Sequence, residues 1–151
     1  MMSRESVVSA SALVKTFGDV RALRGVGFEV GTGEVVGFLG PNGAGKSTAI
    51  RILAGFLGAD SGTAKICGID VALDPVSAKQ NLGYLPESNP LYTEMRVQDF
   101  LQFAAGARGL SGGVARAAID QAVERTGLAS VWGRLIGECS KGFRQRVGLA
   151  Q

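Results

Sequence analysis

The stretch "GFLGPNGAGKST", residues 37–48, matches the pattern G-x-x-x-x-G-K-[ST] at every fixed position. An apolar run precedes it, and a segment with helical spacing follows it. Glycines in such a loop let consecutive backbone N–H groups curl around phosphate oxygens, and the helix that follows points its positive end at the same oxygens. The sequence therefore predicts a phosphate-binding loop (P-loop), and the alternative is a glycine-rich turn that binds nothing.

The side chains of this loop have separate predicted tasks toward a nucleoside triphosphate. Lys46 brings a positive charge to the β- and γ-phosphates, which makes it a predicted catalytic residue. The Ser47 hydroxyl completes the octahedral shell of a Mg²⁺ ion, and Thr48 donates near the α-phosphate. The predicted nucleotide-binding residues of the loop are Gly40, Pro41, Asn42, Gly43, Ala44, Gly45, Lys46, Ser47 and Thr48.

Composition limits the class of protein. The 151 residues, 46% of them hydrophobic and 19% charged, are typical of one soluble globular domain. The sequence has neither an apolar run of the ~18–20 residues that cross a bilayer nor a secretory signal, so we expect a cytosolic chain that meets a membrane only through a partner. A net charge of +3 spread along the chain gives no reason to expect a nucleic-acid partner. Two cysteines and no histidine argue against a disulfide or a metal cluster.

The first ninety residues alternate between strand and helix patterns. A helix is predicted from Lys46 to a C-cap at Gly58, and a short helix is predicted to begin at Pro75. The run 34–40 is apolar throughout, which is typical of a strand buried on both faces. The predicted strands span residues 6–17, 20–30, 34–40, 64–71 and 82–87.

After residue 90 the pattern becomes helical. Apolar residues recur at helical spacing over 97–109 and again over 114–128. We therefore predict a strand-rich part, residues 1–90, and a helical part, residues 91–151, as subdomains of one unit.

The wider pattern resembles ATP-binding-cassette (ABC) proteins. The text "LVKTFGDVRALRGVGFEVGTGEVVGFLGPNGAGKSTAIRILAGFLGADSGTAKICGID" resembles their opening, "NLGYLPESNPLYTEMRVQDFL" their Q-loop region, and "CSKGFRQRVGLAQ" their signature sequence. The resemblance is to the ATPase subunits of ABC-2-type exporters, the drug-export and gliding-motility kind. It implies an α/β fold: a P-loop NTPase (RecA-like) core with an antiparallel β subdomain and a helical subdomain. It also implies ATP and Mg²⁺ as ligands.

Two side chains outside the loop acquire roles from this resemblance. Phe17 occupies the position of an aromatic residue, usually tyrosine, that stacks on adenine; the alternative is an ordinary hairpin aromatic. Glu87 occupies the Q-loop position, where most members carry a glutamine that reaches the metal and the attacking water. A carboxylate can still approach Mg²⁺, so Glu87 is a predicted catalytic and metal-binding residue beside Ser47; the alternative is a solvated loop acid.

Two stretches compete for the signature, which reads LSGGQ in the family. "LSGGV", residues 110–114, has the better letters, but it lies too close to the P-loop and is better explained as an N-cap turn. "CSKGF", residues 139–143, runs into "RQRVGLAQ", the usual continuation, and its Ser is a predicted helix N-cap. In the family this element binds the γ-phosphate held by the opposite subunit; the alternative is a capped helix with a solvated basic face. The residues concerned are Ser140, Lys141 and Gly142.

The resemblance also implies partners and a location. A transmembrane permease subunit and a nucleotide-dependent, head-to-tail homodimer are expected, with the protein cytoplasmic and peripheral on the inner face of the membrane. Residues 1–90 would form the N-terminal part of the nucleotide-binding core with P-loop and Q-loop, and residues 91–151 the helical subdomain with the signature.

Hydrolysis raises a separate expectation. The family's Walker B strand, an apolar run ending in Asp-Glu, and its switch histidine do not occur in residues 1–151. We therefore expect the N-terminal part of a longer protein, with the C-terminal part of the core missing and hydrolysis dependent on it. The alternatives are a nucleotide-binding module without catalysis and a non-transport ABC protein.

Overall fold

The chain forms two compact units, Met1–Tyr84 and Leu85–Gln151. The computed structural model describes residues 6–86, 88 and 90–151. The α/β class, with an antiparallel β part followed by a helical part, is confirmed. The predicted division after residue 90, with its assignment of functions to each part, stays a prediction.

An antiparallel sheet organises the first unit. Its strands are β1 (Ser6–Phe17), β2 (Val20–Gly31), β3 (Ser61–Ile66) and β4 (Ile69–Asp70), in the order β2-β1-β3-β4. The first two strands lie where the sequence predicts them, and a two-residue turn joins Phe17 to its partner Val20. The sheet packs apolar side chains into the core of this unit, among them Leu13, Leu23, Ala64 and Ile66.

Helix α1 (Lys46–Leu53) follows the P-loop and ends earlier than predicted. The Gly55 N–H donates to the Ile52 carbonyl at 3.0 Å, and the Phe56 N–H donates to the Arg51 carbonyl at 2.9 Å. Gly55 has a φ of +67°. These bonds form a Schellman motif, so Gly55 and not Gly58 ends the helix, and the prediction of a C-cap at Gly58 is wrong.

Gly45 joins the P-loop to the sheet. It is the N-cap of α1 with a φ of +86°, and its backbone lies directly against β2. A Cβ at this position would fall well inside contact distance of the Ala22 carbonyl oxygen and 2.7 Å from Leu23 Cδ2. Only glycine therefore satisfies both the backbone angle and the close approach.

Two predicted strands are not formed among the described residues. Residues 34–40 and 82–86 carry no ladder, and Val35 and Leu39 are 100% and 93% exposed. A strand exists only through hydrogen bonds to a neighbouring strand, and an apolar run with no such neighbour does not become one. The prediction of strands at 34–40 and 82–87 is therefore wrong for the described residues, and Glu87 lies outside them.

The predicted strand 64–71 is a hairpin instead. Cys67 and Gly68 have φ values of +48° and +78°, which is the pattern of a two-residue type I′ turn between β3 and β4. Helix α2 (Pro75–Gln80) begins where predicted, and Asp74 caps it by accepting the Ser77 N–H at 3.1 Å.

The second unit is helical. Helices α3 (Val97–Ala107) and α4 (Gly112–Thr126) confirm the two predicted helices, and α5 (Lys141–Ala150) begins within the segment proposed as the signature. Short 3₁₀ turns at Ala129–Val131 and Ile136–Glu138 connect α4 to α5. The core of this unit comprises Val97, Phe100, Leu101, Leu128, Val131, Ile136, Cys139 and Val147.

Within the described part of the chain, no helix combines the length and the apolar character needed to span a bilayer.

The end of β1 is tied to the beginning of β3 through Asp60. Its carboxylate accepts hydrogen bonds from Lys15 Nζ and from the Thr16 N–H, both at 2.7 Å, and its own N–H donates to the Val14 carbonyl at 2.9 Å. The Lys15 hydrogen bond first, and the Thr16 N–H next, lower the pKa of Asp60 below 3.8. Asp60 thus fixes residues 14–16 of β1, which directly precede Phe17.

We predict that Gly45→Ala destabilises the first unit more than Gly43→Ala. Both glycines have positive φ, so each substitution carries a left-handed backbone cost of about 1–2 kcal/mol. A Cβ at Gly43 meets nothing within 4 Å, whereas one at Gly45 collides with β2. Thermal unfolding of the two variants by circular dichroism measures the difference. Equal losses of melting temperature would contradict the close approach of Gly45 to β2.

We also predict that Asp60→Asn flattens the acid dependence of stability. A carboxyl whose pKa is lower in the folded state stabilises the fold above its unfolded pKa, and this contribution is lost as the pH falls through the folded pKa. The wild type should therefore lose stability below about pH 4 more steeply than the variant. Urea unfolding midpoints between pH 5 and pH 3 test this, and parallel profiles would contradict the lowered pKa of Asp60.

Candidate functional site

The P-loop has the backbone shape that its sequence predicts. Gly43 and Gly45 have φ values of +82° and +86°, and the Ala44 N–H donates to the Pro41 carbonyl at 3.2 Å to close a turn. Positive φ at alternate residues turns neighbouring N–H groups toward one side, which is the geometry of an anion-binding nest. The loop residues Gly40, Pro41, Asn42, Gly43 and Ala44 are all exposed.

The Lys46 ammonium lies across this loop. Its Nζ donates to the carbonyl oxygens of Gly40 at 2.6 Å and Pro41 at 2.7 Å. These two hydrogen bonds fix the Lys46 side chain against the backbone of its own loop, and they hold its positive charge beside the turn formed by residues 41–44. A phosphate oxygen carries a full charge and accepts a stronger hydrogen bond from an ammonium than a carbonyl does. Lys46 Nζ can therefore exchange its two carbonyl acceptors for the oxygens of a phosphate group.

The first turn of α1 adds donors and a hydroxyl. Its first intrahelical hydrogen bond runs from the Ala49 N–H to the Gly45 carbonyl at 2.9 Å, so the N–H groups of Lys46, Ser47 and Thr48 precede the helical ladder. Ser47 is exposed and Thr48 is half-buried. The N–H groups that precede the ladder and the positive end of the helix dipole both lie at the N-terminus of α1, and both favour an anion such as a phosphate group.

The residues present fit a magnesium nucleotide. Among the described residues, no group of three or more His, Cys, Asp or Glu could hold a metal ion. Mg²⁺ in nucleotide sites is commonly held by one or two protein oxygens and by the phosphates themselves. The exposed Ser47 hydroxyl on the first turn of α1 is such an oxygen.

Phe17 lies at the end of the hairpin against which the P-loop packs. It is the last residue of β1, it pairs with Val20, and its side chain is 48% exposed. Gly45 contacts Ala22 and Leu23, which follow Val20 on the same strand. The sheet thus brings the predicted adenine platform and the predicted phosphate loop to one hairpin.

The second predicted metal ligand cannot be placed in the same way. Glu87, predicted as a catalytic and metal-binding residue of the Q-loop, lies outside the described residues. Its role stays a prediction.

The candidate signature is a capped helix N-terminus in the second unit. Ser140 is the N-cap of α5, and its Oγ accepts the Phe143 N–H at 3.3 Å. Lys141 and Gly142 are exposed at the first two positions of the helix. In the competing stretch 110–114, Ser111 is the N-cap of α4 but makes no side-chain cap bond. The capping bond thus distinguishes the two stretches.

Some contacts of these elements were not predicted. Arg144 donates to the Cys139 carbonyl at 2.6 Å, and the Arg146 guanidinium lies 5.4 Å from the centre of the Phe143 ring. The sequence shows both arginines as basic residues near the helix start, but it does not show these two contacts. The Lys15–Asp60 contact was also missed, because it joins residues 45 positions apart.

A family model, related sequences and a solved structure all link the chain to ABC transporter proteins. The family model described as "ABC transporter" matches residues 23–151. The probable multidrug ABC transporter ATP-binding protein YbhF of Escherichia coli (strain K12) is 40% identical over 146 residues, 97% of this chain and 25% of that protein. The Nod factor export ATP-binding protein I of Burkholderia orbicola is 34% identical over 137 residues, 91% of this chain and 45% of that protein.

A solved structure agrees in fold. The structure of cbiO1 from Clostridium perfringens, described as part of the ABC transporter complex cbiONQ, superposes with a TM-score of 0.85 and 25% identity, over 97% of this chain and 60% of that one. The chain thus spans between a quarter and three fifths of the length of these proteins. With its P-loop geometry and a family match over most of its length, the chain belongs to the ABC transporter family.

Proposed function

We propose that this chain is the nucleotide-binding part of an ATPase subunit that drives an export system, and that it binds MgATP at Gly40–Thr48. The observation that carries the proposal is the Lys46 ammonium held beside a loop of positive-φ glycines at the start of α1. Membership of the ABC transporter family supports ATP as the nucleotide.

Each group of the site contributes a distinct part of binding. Lys46 gives up its two carbonyl partners and places its charge on the β- and γ-phosphates. The backbone N–H groups of the loop and of the first turn of α1 hold the phosphate oxygens, with Thr48 near the α-phosphate. Ser47 holds Mg²⁺ together with Glu87, and the metal supplies charge neutralisation for the phosphates. Phe17 stacks on the adenine.

A second copy of the chain completes the site in this proposal. Ser140, Lys141 and Gly142 bind the γ-phosphate held by the opposite copy, so that two chains enclose two nucleotides. What supports this is the start of α5, where the Ser140 cap leaves exposed residues at a positive helix end. Binding and release of nucleotide would then close and open the dimer.

The proposed work of that dimer is transport through a membrane partner. The Burkholderia relative is named for the export of Nod factor, the Escherichia relative is named as a multidrug transporter protein, and cbiO1 is described as part of a transporter complex. By this likeness we propose a transmembrane permease as partner, with the chain peripheral on the cytoplasmic face of the membrane and no nucleic acid bound.

Hydrolysis needs more than charge stabilisation. Lys46 would stabilise the charge of the transition state, a bound Mg²⁺ would supply further positive charge there, and another group must orient the attacking water. Residues 1–151 contain no apolar run that ends in Asp-Glu. We propose that the water-orienting group of the whole subunit lies outside this stretch, with Glu87 assisting at the metal.

We predict that Lys46→Ala lowers the affinity for MgATP by at least about tenfold. A hydrogen bond to a charged group contributes about 1.5–3 kcal/mol, and Lys46 is the charged side chain of the loop. Isothermal titration calorimetry measures the affinity. Lys65→Ala is the matched control, since Lys65 is an exposed lysine on β3. Unchanged affinity in Lys46→Ala would refute the assignment of the P-loop.

We predict that Ser140→Ala weakens MgATP-dependent dimerisation of the full-length protein without weakening MgATP binding to the monomer. Loss of the cap bond costs about 1 kcal/mol of helix stability and disorders the element that meets the opposite nucleotide. Ser111→Ala is the matched control, because Ser111 begins a helix without a side-chain cap bond. Analytical ultracentrifugation with and without MgATP gives the readout, and an equal response of both variants would remove the signature assignment.

A further inference from the structure

The Lys15 side chain contacts the aromatic residue at the end of its strand. Its Nζ lies 5.7 Å from the centre of the Phe17 ring. Residues two apart on a strand face the same side, so the two side chains are neighbours on one face of β1. An ammonium at this distance from a ring is attracted by the negative face of the π-system.

Asp60 holds the other side of the Lys15 ammonium. The two groups form an ion pair at 2.7 Å, with the Lys15 side chain only 17% exposed and the Asp60 side chain 41% exposed. The same carboxylate accepts the Thr16 N–H at 2.7 Å. One carboxylate therefore fixes both the residue before Phe17 in the chain and the cation that lies over its ring.

Lys15 and Asp60 contact the chain at the end of β1, where the Phe17 ring lies. Phe17 is the last residue of β1, and strand ends have fewer ladder bonds to hold them. About half of its side chain remains exposed, which is the surface that a flat base would cover. A ring held in one orientation loses less entropy on stacking than a mobile one.

We propose that Lys15 and Asp60 are positioning residues for the Phe17 ring that stacks on the adenine of bound ATP. The inference rests on the nucleotide-binding function proposed above. Lys15 acts on the ring through the cation–π contact, and Asp60 acts through Lys15 and through the Thr16 N–H. Neither side chain contacts the phosphates in this scheme, so both affect recognition of the base and not of the triphosphate.

Two ligands separate these contributions. MgATP contains both the base and the triphosphate, whereas magnesium tripolyphosphate carries only the part that the P-loop binds. The ratio of the two affinities therefore reports the contribution of adenine. A variant that merely destabilises the fold changes both affinities together and leaves the ratio unchanged.

The experiment measures both affinities by calorimetry in the whole protein. Phe17→Ala should reduce the ratio by about fivefold or more, since it removes the stacking surface. Lys15→Ala and Asp60→Asn should each reduce it by roughly two- to fivefold, with tripolyphosphate affinity unchanged. Lys15→Arg should leave the ratio near the wild-type value, because a guanidinium keeps both the ion pair and the contact with the ring. Asp74→Asn is the matched control: it makes the same change of carboxylate to amide at the N-cap of α2 and should leave the ratio at the wild-type value.

The results that overturn the inference differ from one another. If Phe17→Ala lowers the ratio and Lys15→Ala does not, the positioning role is wrong while the adenine contact stands. If Lys15→Ala lowers both affinities equally, the ratio is unchanged and the positioning role is wrong, whether Lys15 acts through the stability of the fold or through its charge. If Phe17→Ala leaves the ratio unchanged, the adenine contact proposed above fails and the positioning role fails with it. Circular dichroism of every variant confirms that each one is folded.

Discussion

The close approach of Gly45 to strand β2 is the constraint on which the candidate site depends. With no Cβ, the backbone at this position lies against the Ala22 carbonyl and the Leu23 side chain, and α1 starts from that contact. The start of α1 in turn sets the direction in which Ser47 and Thr48 point and where the helix dipole acts. The same hairpin ends in Phe17, so one packing contact places the phosphate donors and the proposed base platform on a common element.

Electrostatics then determines what such a loop can bind. The Lys46 ammonium donates to two loop carbonyls, and these hydrogen bonds hold a positive charge beside the loop at the protein surface. Exchanging these carbonyls for phosphate oxygens replaces neutral acceptors with charged ones, so the exchange favours an anion. In the proposed function this exchange would favour a polyphosphate at the loop, through groups that belong to one chain.

The accuracy of the sequence predictions depends on whether a feature is local. Strands β1 and β2, helix α2 and the cap at Ser140 were predicted correctly because their patterns and caps are contained within a few residues. The end of α1 was misplaced because Gly55 and Gly58 are equivalent in sequence, and only the hydrogen bonds of the Schellman motif separate them. The ion pair of Lys15 with Asp60 and the contact of Gly45 with β2 join distant parts of the chain, which no local pattern encodes.

Residues 34–40 show that a local pattern also cannot predict whether a strand finds a partner. An apolar run states only that its side chains favour burial, whereas a strand also requires a neighbour that supplies hydrogen bonds. In the described structure Val35 and Leu39 are exposed instead, immediately before a P-loop whose glycines have positive φ values. The loop does not need a ladder at 34–40 for its shape, because Lys46 bonds to carbonyls of the loop itself and Gly45 packs against β2. The contacts that give the P-loop its shape therefore lie within the first unit, and the proposed binding of a nucleotide needs no strand at 34–40.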